Sequence, residues 1–299
     1  MTPGRRTETG AAGLTTRDRQ SLRAVGAVLH SLVRLLPPGG WHLKGSAALL
    51  GWTGPAARLP EDVDLSLPVG AGPLLLGAAA LPSGPGGERI RLLRTEPVVF
   101  GAPDRPPVHR ALVQVTGRGL AERLLLNVLL VPDARAARDT RTAPLDFPYD
   151  GGTGTVAVPA ATFGRCLAQK LLRYTRRREN GKVNTRWSDL LDFLLAADCT
   201  TAPPLLLAEL AREVAAEFAP MGRAWPGSLP PPPAEWLDFW DTAVFRTGLP
   251  YGTLPDAATR LAPFWTPVLA HPVPPYGPLP GSTPDRRWSP ASWRWERTD

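Results

Sequence analysis

Asp62-Val63-Asp64 is the stretch of this 299-residue sequence best suited to chemistry. Residues two apart on a strand point to one face, so the two carboxylates sit about 6–7 Å apart along it and both can reach one cation. Two such ligands, with positions left for water and phosphate oxygens, are what Mg²⁺ favours. Gly45-Ser46 lies sixteen residues before Asp62. A Gly-Ser turn at a helix start offers backbone N–H groups and a hydroxyl, which suit a phosphate. Each feature alone has an ordinary reading: Gly-Ser is often a helix cap, and Asp-x-Asp arises by chance in many strands. In this order they complement each other. The turn can hold a triphosphate tail, and the aspartates can hold the metal that bridges to it.

These residues need a strand–helix–strand frame, and the flanking sequence supplies one. "WHLKG" reads as a short strand, "SAALLGW" as one or two helical turns and "DVDLSL" as a strand with one polar face. Ahead of them, Leu22, Val25, Leu29, Leu32 and Leu36 recur at helical spacing, with Thr16 as a cap and Pro37-Pro38-Gly39-Gly40 as the stop. Between 68 and 110 the pattern admits a helix over "VGAGPLLLGAAALPSG" and two strands over "RIRLLR" and "EPVVFG". "ALVQVTG" (111–117) and "RLLLNVLLV" (123–131) read as strands, 132–154 as a loop and "TVAVP" (155–159) as a short strand.

The character then changes. "ATFGRCLAQKLLRYTRRREN", "TRWSDLLDFLLAAD", "PPLLLAELAREVAAEF", "AEWLDFWDTAVF" and "LPDAATRLAPFWTPVLA" all read as helices, the third with Pro at its start, and "SLPPPPAEW" as a stiff connector. The expected fold is α+β: a mixed sheet with flanking helices over 15–158 and a helical domain over 159–270. A disordered N-terminus is expected over 1–14, and a Pro- and Trp-rich tail over 271–299. The tail is read as having no core of its own, although Trp288, Trp293 and Trp295 can dock on the body.

Composition narrows the setting. No apolar run is long enough to span a bilayer, and the N-terminus lacks the apolar core of a secretory signal, so the expectation is a cytoplasmic protein with no membrane contact. Cys166 and Cys199 have no metal-ligand spacing and read as buried thiols. The net charge of +7 permits a polyanionic partner. Of 34 basic residues only Lys44, Lys170 and Lys182 are lysine. In a chain that writes Arg wherever Arg serves, a remaining lysine marks a place that needs a compact ammonium.

The pattern "LKGSAAL" followed by "RLPEDVDL" resembles the nucleotidyltransferase superfamily of the DNA polymerase β type, and more narrowly the AbiEii group of nucleotidyltransferase toxins, which includes the MenT proteins. Leu59-Pro60-Glu61 stands near a position where that group usually carries Ser. The second half is similar too: Lys170 in "LAQKLLRYTRRR", then Arg186, Asp189 and Asp192 in "RWSDLLDF". The resemblance covers about residues 25 to 270. It implies transfer of a nucleotide from an NTP with Mg²⁺ held by Asp62 and Asp64. Ser46 with the Gly45 turn would hold the β and γ phosphates, helped by Lys44 and Arg58, and Lys170 would offset triphosphate charge. Asp189 would position metal, Lys170 or acceptor. The implied acceptor is the 3′ end of tRNA, and the implied partner is a winged-helix antitoxin, in a toxin–antitoxin or phage-defence setting. The basic segment 173–186, with Arg176, Arg177 and Arg178, suits RNA phosphates.

One residue departs from the superfamily pattern. Many members carry a third carboxylate on a later strand, and the only interior polar residue of "RLLLNVLLV" is Asn127. Either Asp189 completes the acidic site or two aspartates suffice. Two other classes stay open at this point: an enzyme that nucleotidylates a small molecule of the aminoglycoside type or a protein, and an NTP-binding regulator without catalysis.

Overall fold

The computed structural model describes residues 15–54, 58–98, 107–132, 140–149, 152–176, 183–223, 225–247, 250–271 and 285–298. The chain divides into two compact units, Met1–Thr162 and Phe163–Asp299.

The first unit is built on an eight-stranded mixed sheet. Its strands are β1 (His42–Lys44), β2 (Asp62–Pro68), β3 (Ala80–Leu81), β4 (Arg89–Val98), β5 (Val108–Gly117), β6 (Leu120–Val131), β7 (Thr140–Tyr149) and β8 (Gly152–Ala161), in the order β3-β4-β5-β6-β2-β1-β8-β7. β2 runs parallel to β6 and β1 parallel to β8, while the other neighbours are antiparallel. Helices α1 (Thr16–Leu35) and α2 (Gly45–Thr53) pack on one face. Gly26 and Gly51 let them approach β7 closely, because a Cβ at those positions would meet Phe147 and Ala143. α1 begins with a capping box, in which the side chains of Thr15 and Asp18 each accept from the other's backbone N–H. The cap is thus one residue ahead of the Thr16 expected from sequence. Arg23 on α1 pairs with Glu88, which is fully buried, at 2.9 Å.

Three stretches differ from the expectation. The region 69–81 is a 3-10 turn, a short helix α3 (Gly72–Leu76) and β3, because Pro73 and Gly77 bracket barely one helical turn. β4 is one strand rather than two, with a bulge at Leu93. The expected loop 132–154 contains β7. Ala143, Leu145 and Phe147 face the core there, while Pro144 and Asp146 face out. Among the described residues β7 lies at the sheet edge and pairs only with β8, which is where a strand tolerates proline.

The second unit contains α4 (Phe163–Tyr174), α5 (Trp187–Asp198), α6 (Leu207–Phe218), α7 (Leu237–Thr247), α8 (Leu254–Arg260) and α9 (Ala262–Leu269). Pro203 and Pro204 precede α6 and are not its first residues, since extended Leu206 is the cap. Its core is aromatic: Phe193 meets Trp265 edge-on at 4.9 Å, and Trp236 meets Tyr174 at 5.5 Å. Within the stretch read as a tail, β9 (Arg286–Ser289) and β10 (Arg294–Arg297) form a hairpin. Its Trp288 and Trp295 are buried against Phe264 and donate to the carbonyls of Ala197 and Phe264 at 2.8 and 2.9 Å. Trp293 donates to Asp198 at 2.8 Å, with the Arg260 guanidinium 4.2 Å above its ring. Cys166 and Cys199 are both buried, and neither is in a disulfide. Burial pushes the Cys166 thiol up to about 12, against a smaller opposing pull from Lys170.

Candidate active site

β1 turns directly into α2, and the junction passes beside β2. Lys44 is opposite Asp64 in the β1–β2 register and is also the residue that precedes α2. Gly45, the first residue of α2, has φ +66°. A Cβ there would collide with Asp64 Oδ2 and lie 3.2 Å from its Cγ. Gly45 is therefore required twice, by backbone angle and by the aspartate's proximity. Lys44 makes no side-chain capping bond, so the first amides of α2 have no cap from it. Ser46 is buried, and its Oγ accepts from Arg58 Nη2 at 2.8 Å. This contact brings a guanidinium, half-exposed, to the start of α2.

Asp62 and Asp64 share one face of β2, with buried Val63 between them on the other. β6 runs alongside in parallel and places Asn127 opposite Asp64. The Asn127 amide donates to Asp62 Oδ2 at 3.0 Å and to Asp64 Oδ1 at 2.9 Å. Its own oxygen accepts a long bond, 3.4 Å, from Arg110 Nε on β5. Two carboxylate oxygens thus converge on one positively polarised group, about where a cation would need them. The donors within reach are all oxygens once the amide turns over, which suits a hard divalent cation.

Lys170 and Asp189 lie in the second unit. Lys170 is 1% exposed, and its Nζ is 2.6 Å from Asp192 Oδ2 and 3.4 Å from Asp189 Oδ1. Arg173 Nη2 reaches Asp189 Oδ1 at 3.1 Å. Two cations from α4 and two carboxylates from α5 balance inside the helical core. The lysine's partners here are two aspartates, which hold α4 to α5. Asp192 and Arg173 belong to this cluster without having been singled out for a role. The available signal was i, i+3 spacing: Lys170 with Arg173, and Asp189 with Asp192, each on one helix face. Arg110 was missed altogether, because only the cross-strand register puts it beside Asn127.

Arg176 is exposed after the end of α4, and Arg177 and Arg178 lie outside the described residues. Asn184 fastens the return of that segment by donating to the carbonyls of Arg173 and Tyr174, both at 2.8 Å. The Trp236 indole in turn donates to the Asn184 carbonyl.

A family model described as nucleotidyl transferase AbiEii toxin, type IV TA system, matches residues 28–241. Among solved structures, JHP933 from Helicobacter pylori is 15% identical, with 86% of this chain and 94% of that one covered and a TM-score of 0.44. A candidate nucleotidyltransferase from H. pylori is 16% identical, with 86% and 96% covered and a TM-score of 0.41. No curated protein matches the chain. No helix among the described residues is long and apolar enough to cross a membrane.

Proposed function

The chain belongs to the AbiEii nucleotidyltransferase toxin family of type IV toxin–antitoxin systems, and from that membership we propose that it transfers NMP from an NTP to the 3′ end of a tRNA at Asp62 and Asp64. The observation that carries the reading is the convergence of both aspartates on one point beside the N-terminus of α2.

In this reading a terminal hydroxyl of the RNA attacks the α-phosphorus and gives up its proton to water. The new O–P bond forms as the bond to the β-phosphate oxygen breaks, and pyrophosphate leaves. Asp62 and Asp64 would hold Mg²⁺, which would make the hydroxyl a better nucleophile and offset charge on the pyrophosphate. The first amides of α2, with Ser46 and Arg58, bind the β and γ phosphates, because the helix N-terminus carries partial positive charge. Lys44 adds positive charge beside Asp64. Asn127 holds the two carboxylates apart from each other and aimed together. Lys170 acts as a positioning residue, keeping Asp189 and Asp192 in place between α4 and α5. Arg176, Arg177 and Arg178 supply charge for the acceptor. The family implies an antitoxin partner, and the proposed antitoxin is a winged-helix protein that silences the enzyme in the cytoplasm.

The test uses purified protein, Mg²⁺, each of four α-labelled NTPs and total RNA. Label on tRNA, lost in Asp64→Ala with the melting temperature retained, is the expected result. Label on protein or on a small-molecule fraction would move the acceptor to those classes. Transfer at the wild-type rate by Asp64→Ala would remove the metal-site assignment.

A further inference from the structure

The sheet does not end at the aspartates. From β2 it continues through β6, β5 and β4, and the cross-strand register defines what stands on each face. On one face Ile90, Val113, Val115, Leu124, Leu126 and Val128 are buried. The opposite face carries rows of described residues that are exposed or half-buried. One row across it reads Asp64, Asn127, Arg110, Glu96, and the next reads Asp62, Leu125, Leu112, Arg94. A third row places Arg123 opposite Gln114 and Arg91, and Arg89 follows opposite Thr116. Arg89, Arg91, Arg94, Arg110 and Arg123 are all exposed. Among the described residues of β4, β5 and β6 on this face Glu96 is the one acidic residue, paired with Arg94 at 2.5 Å. Leu125 is 39% exposed, an apolar side chain lying in the open between the arginines and Asp62.

A solvated sheet face ordinarily mixes signs, because like charges on neighbouring strands repel. The register sets no arginine directly opposite another, but five arginines against one glutamate on β4, β5 and β6 leave this face net positive, which favours a polyanion. Three inter-strand steps of about 4.8 Å put Arg94 about 14 Å from Asp62, which is a distance spanned by a few nucleotides of extended strand. Along the row that ends at Asp62 the character changes in one direction: Arg94 on β4, then apolar Leu112 and Leu125 on β5 and β6, then the carboxylate on β2. We propose that this face of β4, β5 and β6 is the track that seats the acceptor RNA, with its backbone phosphates on Arg91, Arg94 and Arg123, the ribose or base of its last residues over Leu112 and Leu125, and its terminal hydroxyl at Asp62. This deepens the RNA-acceptor reading above and rests on it.

The experiment compares wild type with R91A/R94A/R123A and with R91K/R94K/R123K. Arg110 is left intact because it contacts Asn127. Affinity for a labelled tRNA is measured across a salt series, alongside NTP affinity, melting temperature and label transfer to tRNA. Each phosphate contact on a single strand contributes about 0.7 to the slope of log affinity against log salt. The alanine variant should therefore flatten the slope by about 2 and bind tRNA at least tenfold more weakly at low salt. NTP affinity and melting temperature should stay at wild-type values. The lysine variant should keep most of the slope, because point charges still pair with phosphates. Wild-type protein that labels tRNA, together with an alanine variant of unaltered tRNA affinity and slope, would overturn the track and leave the proposed reaction standing. A lysine variant as weak as the alanine variant would also overturn it, since charge would not be the cause. Wild-type protein that neither binds nor labels tRNA would remove the acceptor reading and the track with it.

Discussion

Gly45→Ala should damage both the fold and the reaction, by amounts that can be worked from the geometry. The first contribution is backbone strain. At φ +66° an alanine sits in the left-handed region, at a cost of about 1–2 kcal/mol. The second is steric. The new Cβ would overlap Asp64 Oδ2, with its Cγ 3.2 Å and its Cβ 3.3 Å away. The carboxylate has to swing off, and the bond it accepts from Asn127 at 2.9 Å is lost. A bond to a charged group is worth about 1.5–3 kcal/mol, so the sum is about 2.5–5 kcal/mol. For a unit of this size that lowers the melting temperature by roughly 5–20 °C. Catalysis should fall further than stability suggests, because displacing a catalytic group by about 1 Å costs on the order of 100-fold in rate. Gly39→Ala is the matched control. Gly39 has φ +72° with nothing within 4 Å of its Cβ direction, so it carries the backbone strain alone. The assay pairs thermal melting with single-turnover transfer from a labelled NTP. A Gly45→Ala protein that melts with Gly39→Ala and transfers label at the wild-type rate would refute the argument that Gly45 makes room for Asp64.

Asn127→Asp replaces the shared amide with a third carboxylate, so the variant should melt lower than wild type in EDTA and gain more from added Mg²⁺; equal Mg²⁺-induced shifts in both proteins would contradict the role given to Asn127. Lys170→Met leaves Asp192 buried without its cation and should destabilise the helical unit by about 3–5 kcal/mol, followed by tryptophan fluorescence, while adding Asp192→Leu should restore much of the loss; a neutral single variant would show that the pair does not hold α4 to α5. Burial holds Cys166 protonated up to about 12 against an ordinary 9.0. The unfolded chain therefore binds fewer protons than the native one between those values, and the contribution of this thiol to stability is full below pH 9.0, falls as pH rises above it and is lost through about 12. Native protein at pH 8 should resist iodoacetamide at Cys166, and rapid alkylation of the folded state would contradict the burial.

Much of the first unit was readable in the sequence because the signals were local. Gly45-Ser46 opens a helix and Asp62-Val63-Asp64 alternates on a strand, since helix starts and strand alternation depend on neighbours a few residues away. β7 was hidden because Pro144 and Pro148 read as loop, and proline is compatible with a strand only at an edge. Whether a strand is an edge is a property of the sheet. The hairpin carrying Trp288 and Trp295 was hidden for a related reason: two four-residue strands become stable only when Phe264 is there to bury their rings.

The sequence by itself determined the residue types the chemistry needs, their order, and the α+β division between a strand-rich front and a helical back. The tertiary structure decided their company. It put Asn127 between two aspartates sixty-odd positions earlier in the chain, at 3.0 and 2.9 Å. It turned Lys170 inward onto Asp189 and Asp192, where composition alone pointed to an ammonium set apart for a phosphate. It also gathered arginines from β4, β5 and β6 onto one face. The physical reason is the same in each case. Local sequence sets backbone angles and the period of side chains, but which side chains meet is fixed by strand register and helix packing. Those minimise buried charge and exposed apolar surface over the whole domain at once.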